Sequence, residues 1–319
     1  MKCKWIKKLT AGIIFLAAVG SLSGCQKAAT SENLFRDIEV NMTSVESAEE
    51  NQIVKLQMGD GDSAISQESN LDIEMTRNPA AVHRKGQQKT NMAGTKETQE
   101  MESYQVEEDG KTVIYSGTDE AWEKNAVEEK ETSSQQTVLF DGLQNLSGAF
   151  SVSQDLATVN KEECFELTGT ISGTQFQETF ADTLKALLGE DSSDLSGWNL
   201  QASEDEENNE ELQQKLNNVN VDCVIDIYRS NILPAKITFD LTDYLKAAGE
   251  ENAQVTSYTL EVTFVSYNDT KKIKVPKAVK ESAKDNGEDE AENNTDEMLE
   301  EENQEAAGEA EAAKGIQSD

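Results

Sequence analysis

At 319 residues the chain is long enough for one domain with a sizeable core. Its 62 Asp and Glu against 28 Lys and Arg give a formal charge of −34, which makes nucleic acid and anionic lipid head groups poor partners. His83 is the single histidine, and that removes most acid–base and metal options at the outset.

The chain opens MKCKWIKKLTAGIIFLAAVGSLSGCQKAAT. Lys2, Lys4, Lys7 and Lys8 form a positive start, Leu9 to Val19 an apolar run, and Gly20, Ser21, Ser23 and Gly24 a small-residue end, the three parts of an export signal. The apolar run is shorter than the ~20 residues a membrane-crossing helix needs. An ordinary cleavage site requires no cysteine, yet Cys25 follows Leu22-Ser23-Gly24 directly. These four residues resemble the lipobox of bacterial lipoproteins. The resemblance implies cleavage between Gly24 and Cys25, a diacylglyceryl group on the Cys25 thiol, acyl chains such as palmitate in the bilayer, and a place on the extracytoplasmic face of the cell membrane. Two acyl chains anchor stably, each buried methylene contributing ~0.8 kcal/mol. The expected organisation is a signal over 1–24, a lipidated cysteine and tether over 25–33, one domain over 34–280, and a tail over 281–319.

After the tether, Leu34, Ile38, Met42 and Val45 recur at helical spacing and predict a first helix. The period then changes to two. Val54, Leu56 and Met58 alternate with polar neighbours, as do Leu71, Ile73 and Met75, and further strands are expected at 81–92, 98–106 and 111–115. Asp109-Gly110 is a hairpin signal between the last two. Two amphipathic helices follow. One is expected over Val138 to Phe150, with Leu139, Leu143, Leu146 and Phe150 on a stripe, and the other over Thr174 to Leu188. Thr174 and Gln177 fit a capping box for the second, and Gly189 a stop. Between them CFELTGTISG (Cys164 to Gly173) reads as a strand in which Gly169 and Gly173 serve as bend and turn residues. Val219 to Ile227, KITFDLT and TSYTLEVTFVSYND alternate again, the last with Tyr258, Leu260, Val262 and Phe264 on one face. One wet face per strand means an antiparallel sheet covered on a single side. The expected class is α+β: a curved antiparallel sheet, or half β-barrel, with two or three helices on its inner face.

Two acidic stretches fall outside this pattern. EDEENNEELQQK (Glu204 to Lys215) marks a solvated insert over about 189–218, ending in a short helix. Residues 281–319 hold fifteen Asp or Glu against two Lys and no aromatic residue, the composition of a disordered tail. Cys164 and Cys223 could pair in an oxidising compartment. Cys223 shares its phase with Val221, Ile225 and Ile227, whereas Cys164 lies opposite Phe165 and Leu167, so two independent thiols are the default and a disulfide the lesser alternative.

The segments MTRNPAAVHRKGQQ, YQVEEDGKTVIY, Trp122 in DEAWEK, FELTGTISG and KIKVPK resemble cell-surface lipoproteins of Gram-positive bacteria. Those are similar to the half-barrel superfamily of the lipoprotein-localisation factor and the mycobacterial lipid-carrying lipoproteins. The resemblance covers about Asp72 to Lys277 and implies a hydrophobic cavity between sheet and helices that shelters acyl chains. Phe176, Phe180, Leu184 and Leu187 are then candidates to line it, with ordinary core packing the competing reading. No H-E-x-x-H, C-x-x-C pair, G-x-S-x-G, phosphate-cradling glycine loop or calcium loop occurs, so no catalytic residue, metal ligand or cofactor is assigned and an enzyme is not expected. Two functions remain: a membrane-anchored lipoprotein holding a lipid or other apolar ligand, or an envelope structural and interaction module with no small ligand and an unidentified protein partner.

Overall fold

A computed structural model describes residues 29–59, 64–118, 121–127, 142–188, 212–248 and 254–285. Its frame is one curved, open, largely antiparallel sheet of 13 strands. The first meander runs β1 (Ser47–Met58), β2 (Ile65–Arg77), β3 (Ala80–Met92), β4 (Thr95–Glu108), β5 (Lys111–Thr118) and β6 (Ala121–Val127), each strand paired with the next. The second runs β9 (Glu162–Ser172), β10 (Asn220–Tyr228), β11 (Pro234–Asp240) and β12 (Val255–Tyr267), with β7 (Phe150–Val152) and β8 (Ala157–Val159) against β9. β12 returns beside β1 and joins the two meanders, with a register shift between Glu49 and Glu50. The exception to antiparallel pairing is β13 (Lys284–Asp285), which lies parallel to β6. Residues 281–285, assigned to the tail from composition, therefore belong to the fold.

Turn chemistry makes the first meander legible. Asp109 and Gly110 both take positive φ, 53° and 76°, as a two-residue hairpin whose twist matches the strands requires. Ala93 and Gly94 do the same between β3 and β4, a turn without an Asn-Gly or Asp-Gly signature.

The helices cover the second meander. α1 (Ser31–Met42) starts at Thr30, whose hydroxyl accepts from the Asn33 N–H at 3.3 Å, and buries Leu34, Phe35, Ile38 and Met42. Val45, expected as its last stripe residue, is buried just beyond the helix end. α2 (Gly173–Leu188) is capped two residues earlier than the spacing of Thr174 and Gln177 suggests. The Ser172 hydroxyl accepts from the Gln175 N–H at 3.2 Å, and Gln175 Oε1 accepts from the Ser172 N–H at 3.1 Å. Thr174 and Gln177 instead bind the short helix 212–216 and its exit, through Asn217 Oδ1 and Gln213 Nε2. The helix expected over 138–150 is a 3-10 helix, Leu143–Ala149, and Phe150 already opens β7; 138–141 lie outside the described residues.

Three further differences have local causes. Gly169 is no bend: it sits mid-strand opposite Phe150 and Cys223, and a Cβ there would come within 2.6 Å of the Phe150 ring. The strand read over TSYTLEVTFVSYND ends at Tyr267, before the KIKVPK segment. Residues 269–276 run without regular structure into α4 (Lys277–Ser282), where Ile273 and Val279 bury against Tyr104, Tyr115 and Trp122. Finally α3 (Thr242–Ala248), which follows KITFDLT, begins where Asp240 Oδ1 accepts from the Thr242 N–H and hydroxyl, and it buries Tyr244, Leu245 and Ala248.

Candidate functional site

The apolar face of β9–β12 and β1 is the largest buried surface of the protein. Leu167 and Ile171 of β9, Val221, Cys223, Ile225 and Ile227 of β10, Ile237 and Phe239 of β11, and Tyr258, Leu260, Val262 and Phe264 of β12 meet α1, α2, α3 and the 3-10 helix in one cluster. Alternation dictates this membership, because residues two apart on a strand share a face. Phe176 and Phe180 of α2 lie at its centre, 0% and 1% exposed. Phe176 is 5.3 Å from Phe239 and 4.9 Å from Tyr244, ring to ring, both edge-on, and Phe180 is 5.0 Å from Phe239. Each such aromatic pair adds roughly 0.5–1.5 kcal/mol beyond area burial. Leu184 and Leu187 belong to α2, but their side chains lie outside the described residues, as do Gly24 and Cys25.

Polar side chains interrupt this face on β1. Val54, Leu56 and Met58 continue the apolar phase toward one end of the strand; two steps the other way the same phase brings Gln52 and Glu50. Glu50 is 2% exposed and Gln52 1%. Cross-strand neighbours of Glu50 are Phe264 and Ile73, and those of Gln52 are Val262 and Leu71. Both carboxylate oxygens of Glu50 and the side-chain oxygen of Gln52 are buried without a hydrogen-bond partner among the described residues. Each such acceptor costs about 1–3 kcal/mol. Burial pushes the Glu50 carboxyl up to about 7, opposed by the positive charge of Arg84, and burial in turn lowers Arg84. Tyr267, stacked on Phe264 at 5.5 Å, is pushed up by its burial and then by Glu50. The neighbouring position on the other face behaves differently. Asn51 donates to Asn70 Oδ1 at 2.8 Å and Asp72 Oδ1 at 2.9 Å. The signal for Glu50 and Gln52 was in the sequence: extending the phase of Val54 and Leu56 backward places both on the apolar face.

These geometries sit within a segment that matches a known family. The model of the family of unknown function DUF6612 covers residues 30–284. The chain belongs to this family. No curated protein matches it by sequence. Among solved structures it is similar to LprF from Mycobacterium bovis, at 11% identity over 77% of this chain and 96% of that one, TM-score 0.42. It is similar to the lipoprotein LppX from Mycobacterium tuberculosis at 13% identity over 76% and 98%, TM-score 0.41. A LolA superfamily protein from Nitrosomonas europaea matches at 9% identity over 79% and 97%, TM-score 0.22. The Gram-positive lipoproteins that the sequence motifs resemble are themselves similar to the superfamily of these mycobacterial and LolA proteins.

Within the family segment, an open groove of about 770 Å³ lies where the start of α1 meets the start of β9 and the β10–β11 turn. Ala29, Leu34, Phe165 and Ile232 supply its apolar wall. Its charges are paired: Arg229 binds Glu163 and lies 5.5 Å over the Phe165 ring, the Ser230 hydroxyl donates to Glu162, and Asp37 accepts from Arg36 at 2.6 Å.

The other residues singled out from sequence have structural surroundings. Cys223 joins the helix-covered cluster, whereas Cys164 packs with Val159, Tyr228 and Ala235. Both are free thiols, paired in register with Gly169 and Tyr228 respectively, and burial pushes both upward. Cys164 also shows that the opposite face is not uniformly wet, since a small buried cluster forms there. His83 stacks on Tyr104 at 4.3 Å, with Nδ1 3.3 Å from Glu74 and Nε2 3.0 Å from Glu102. Tyr104 and Lys85 both donate to Glu102, completing a bridge across β3 and β4. No group of three His, Cys, Asp or Glu among the described residues is placed to hold a metal ion.

Proposed function

We propose that this chain is an extracytoplasmic lipoprotein, anchored to the cell membrane through lipid on Cys25, that holds a lipid or other apolar molecule between its sheet and helices on the sheet's inner face. The carrying observation is the kind of cover on the apolar face. Backbone ladders hold the sheet together, while α1, α2 and α3 meet it through apolar side chains in one cluster. Such a cover separates from the sheet without breaking a strand-to-strand hydrogen bond, so an acyl chain can replace side-chain contacts by equivalent ones. The lipobox supports the anchor: α1 begins at Ser31, so the domain starts within roughly 20 Å of extended chain from Cys25. The open groove begins at Ala29 and would face the membrane from which a ligand comes. No described helix is long and apolar enough to cross a membrane.

Organic extraction of the chain purified from its membrane fraction, followed by mass spectrometry, tests the ligand; recovery of no lipid beyond that attached to Cys25 would count against it. Cys25→Ala tests the anchor, with loss of palmitate labelling and release from the membrane fraction expected. A second reading, an envelope interaction module without a small ligand, is favoured by the edge-on contacts of Phe176 and Phe180 with Phe239 and Tyr244. The same extraction separates the two.

A further inference from the structure

We propose that Glu50 and Gln52 form the acceptor end of a binding site for a neutral, hydroxyl-bearing amphiphile, of the acylated glycerol or sugar class. The inference rests on the ligand-holding function above and names the chemistry of the ligand's polar end.

Three side-chain oxygens stand on one face of one strand, nine-tenths buried or more, with no donor among the described residues. Their immediate cross-strand neighbours on that face, Phe264 and Val262 of β12 and Ile73 and Leu71 of β2, bring no hydrogen-bond donor in their side chains, and the next group in the row is the Arg84 guanidinium of β3. A purely structural polar position is satisfied by its neighbours, as Asn51 is on the opposite face. The Gln52 oxygen accepts in every state, and Glu50 accepts on two oxygens when ionised and on one when protonated, so both offer acceptors to a ligand that donates.

Charge narrows the class. Arg84 of β3 lies in register with Ile73, beside Glu50, and is the positive charge that opposes the effect of its burial. An ammonium head group entering here meets the guanidinium, and a phosphate or carboxylate meets Glu50. Hydroxyl groups donate without bringing net charge into a low-dielectric site. The phase of β1 then supplies a path for the rest of the molecule. Val54, Leu56 and Met58 extend from Gln52 along the same face, beside the helix-covered cluster. A head group held at Glu50 and Gln52 points its acyl chain along them.

The test uses the full mature chain, delipidated, with four probes in sub-micellar solution: monooleoylglycerol, oleylamine, oleate and octadecene. Calorimetric titration is expected to rank monooleoylglycerol tightest. Gln52→Leu is expected to weaken monooleoylglycerol about tenfold while leaving octadecene unchanged. Glu50→Gln keeps the shape of the side chain and is expected to weaken monooleoylglycerol several-fold, so the proposal does not depend on one variant folding. Octadecene bound as tightly as monooleoylglycerol, or both variants binding it as the parent does, overturns the inference while leaving the ligand-holding function standing. Failure of all four probes to bind overturns that function, and this inference with it.

Discussion

The two halves of the sheet are held by different means. β9–β12 owe their order to long-range packing: residues from α1, α2 and α3, far apart in sequence, converge on Phe239, Leu260 and Phe264. β2–β6 owe theirs to neighbours in sequence. Consecutive hairpins pair in unbroken register, and the side chains that bridge them are polar, as in the His83, Glu102, Tyr104 and Lys85 group. Among the described residues, a returning segment supplies apolar cover: it brings Ile273 and Val279 onto Trp122 and is pinned by Lys280 on Glu108. A half built on hairpins keeps its shape with little core, whereas a half built on a helix-covered face draws its stability from apolar side-chain contacts. β1 lies at the joint, and the two unmatched residues Glu50 and Gln52 are on it.

The largest expected effect breaks the helix-backed half. Phe176→Ala removes a ring packed against three others and should cost about 3–5 kcal/mol, read from urea unfolding. Hydrogen exchange in that variant should quicken in β9–β12 more than in β3–β5. Equal quickening would show that the two halves open as one unit, and the contrast drawn here would fail.

The joint itself should respond to pH. Glu50 has its carboxyl raised to about 7 in the fold, so the folded state keeps a proton that the unfolded chain loses above the ordinary carboxylate range. Stability contributed this way is present at low pH and falls as pH rises from about 4.5 to 7, by about 3 kcal/mol at most. Asp226, raised to about 6 by burial and then by Glu166, acts in the same direction at lower pH. Urea midpoints measured across this range should fall with pH in the parent and fall less in Glu50→Gln. Parallel curves would remove Glu50 from the account.

Smaller effects sharpen the contrast. Gly169→Ala drives a methyl group into the Phe150 ring and should cost about 1–3 kcal/mol through overpacking of the helix-backed half. Gly110→Ala strains a hairpin turn at φ 76° and should cost about 1 kcal/mol. Lys85→Ala removes an ion pair whose lysine is 62% exposed, and a change of less than about 0.5 kcal/mol is expected by the same measurement. A loss there as large as that of Gly169→Ala would mean that the hairpin half depends on its polar bridges far more than exposed charges allow.

Much of this fold is legible in the amino-acid order because the information is local. The stripe of Leu34, Ile38 and Met42, the alternation through Tyr258, Leu260, Val262 and Phe264, and the Asp109-Gly110 turn each follow from a period or a backbone preference that a few residues fix. The capping of α2 was misplaced because Ser172 and Gln175 have the same spacing as Thr174 and Gln177, and only the competing partners Asn217 and Gln213 separate the two pairs. α3 was hidden because seven residues carry too little periodicity to stand out from the end of KITFDLT.

By itself, then, the sequence determined that this chain is an antiparallel sheet with amphipathic helices, since periods and faces are properties of neighbouring residues. Tertiary structure alone decided which faces are covered and by what. Period two says that Glu50 and Gln52 share a side of β1 with Leu56, but their burial depends on β12, far along the chain, returning beside β1. A polar side chain becomes a site when distant segments take its water away.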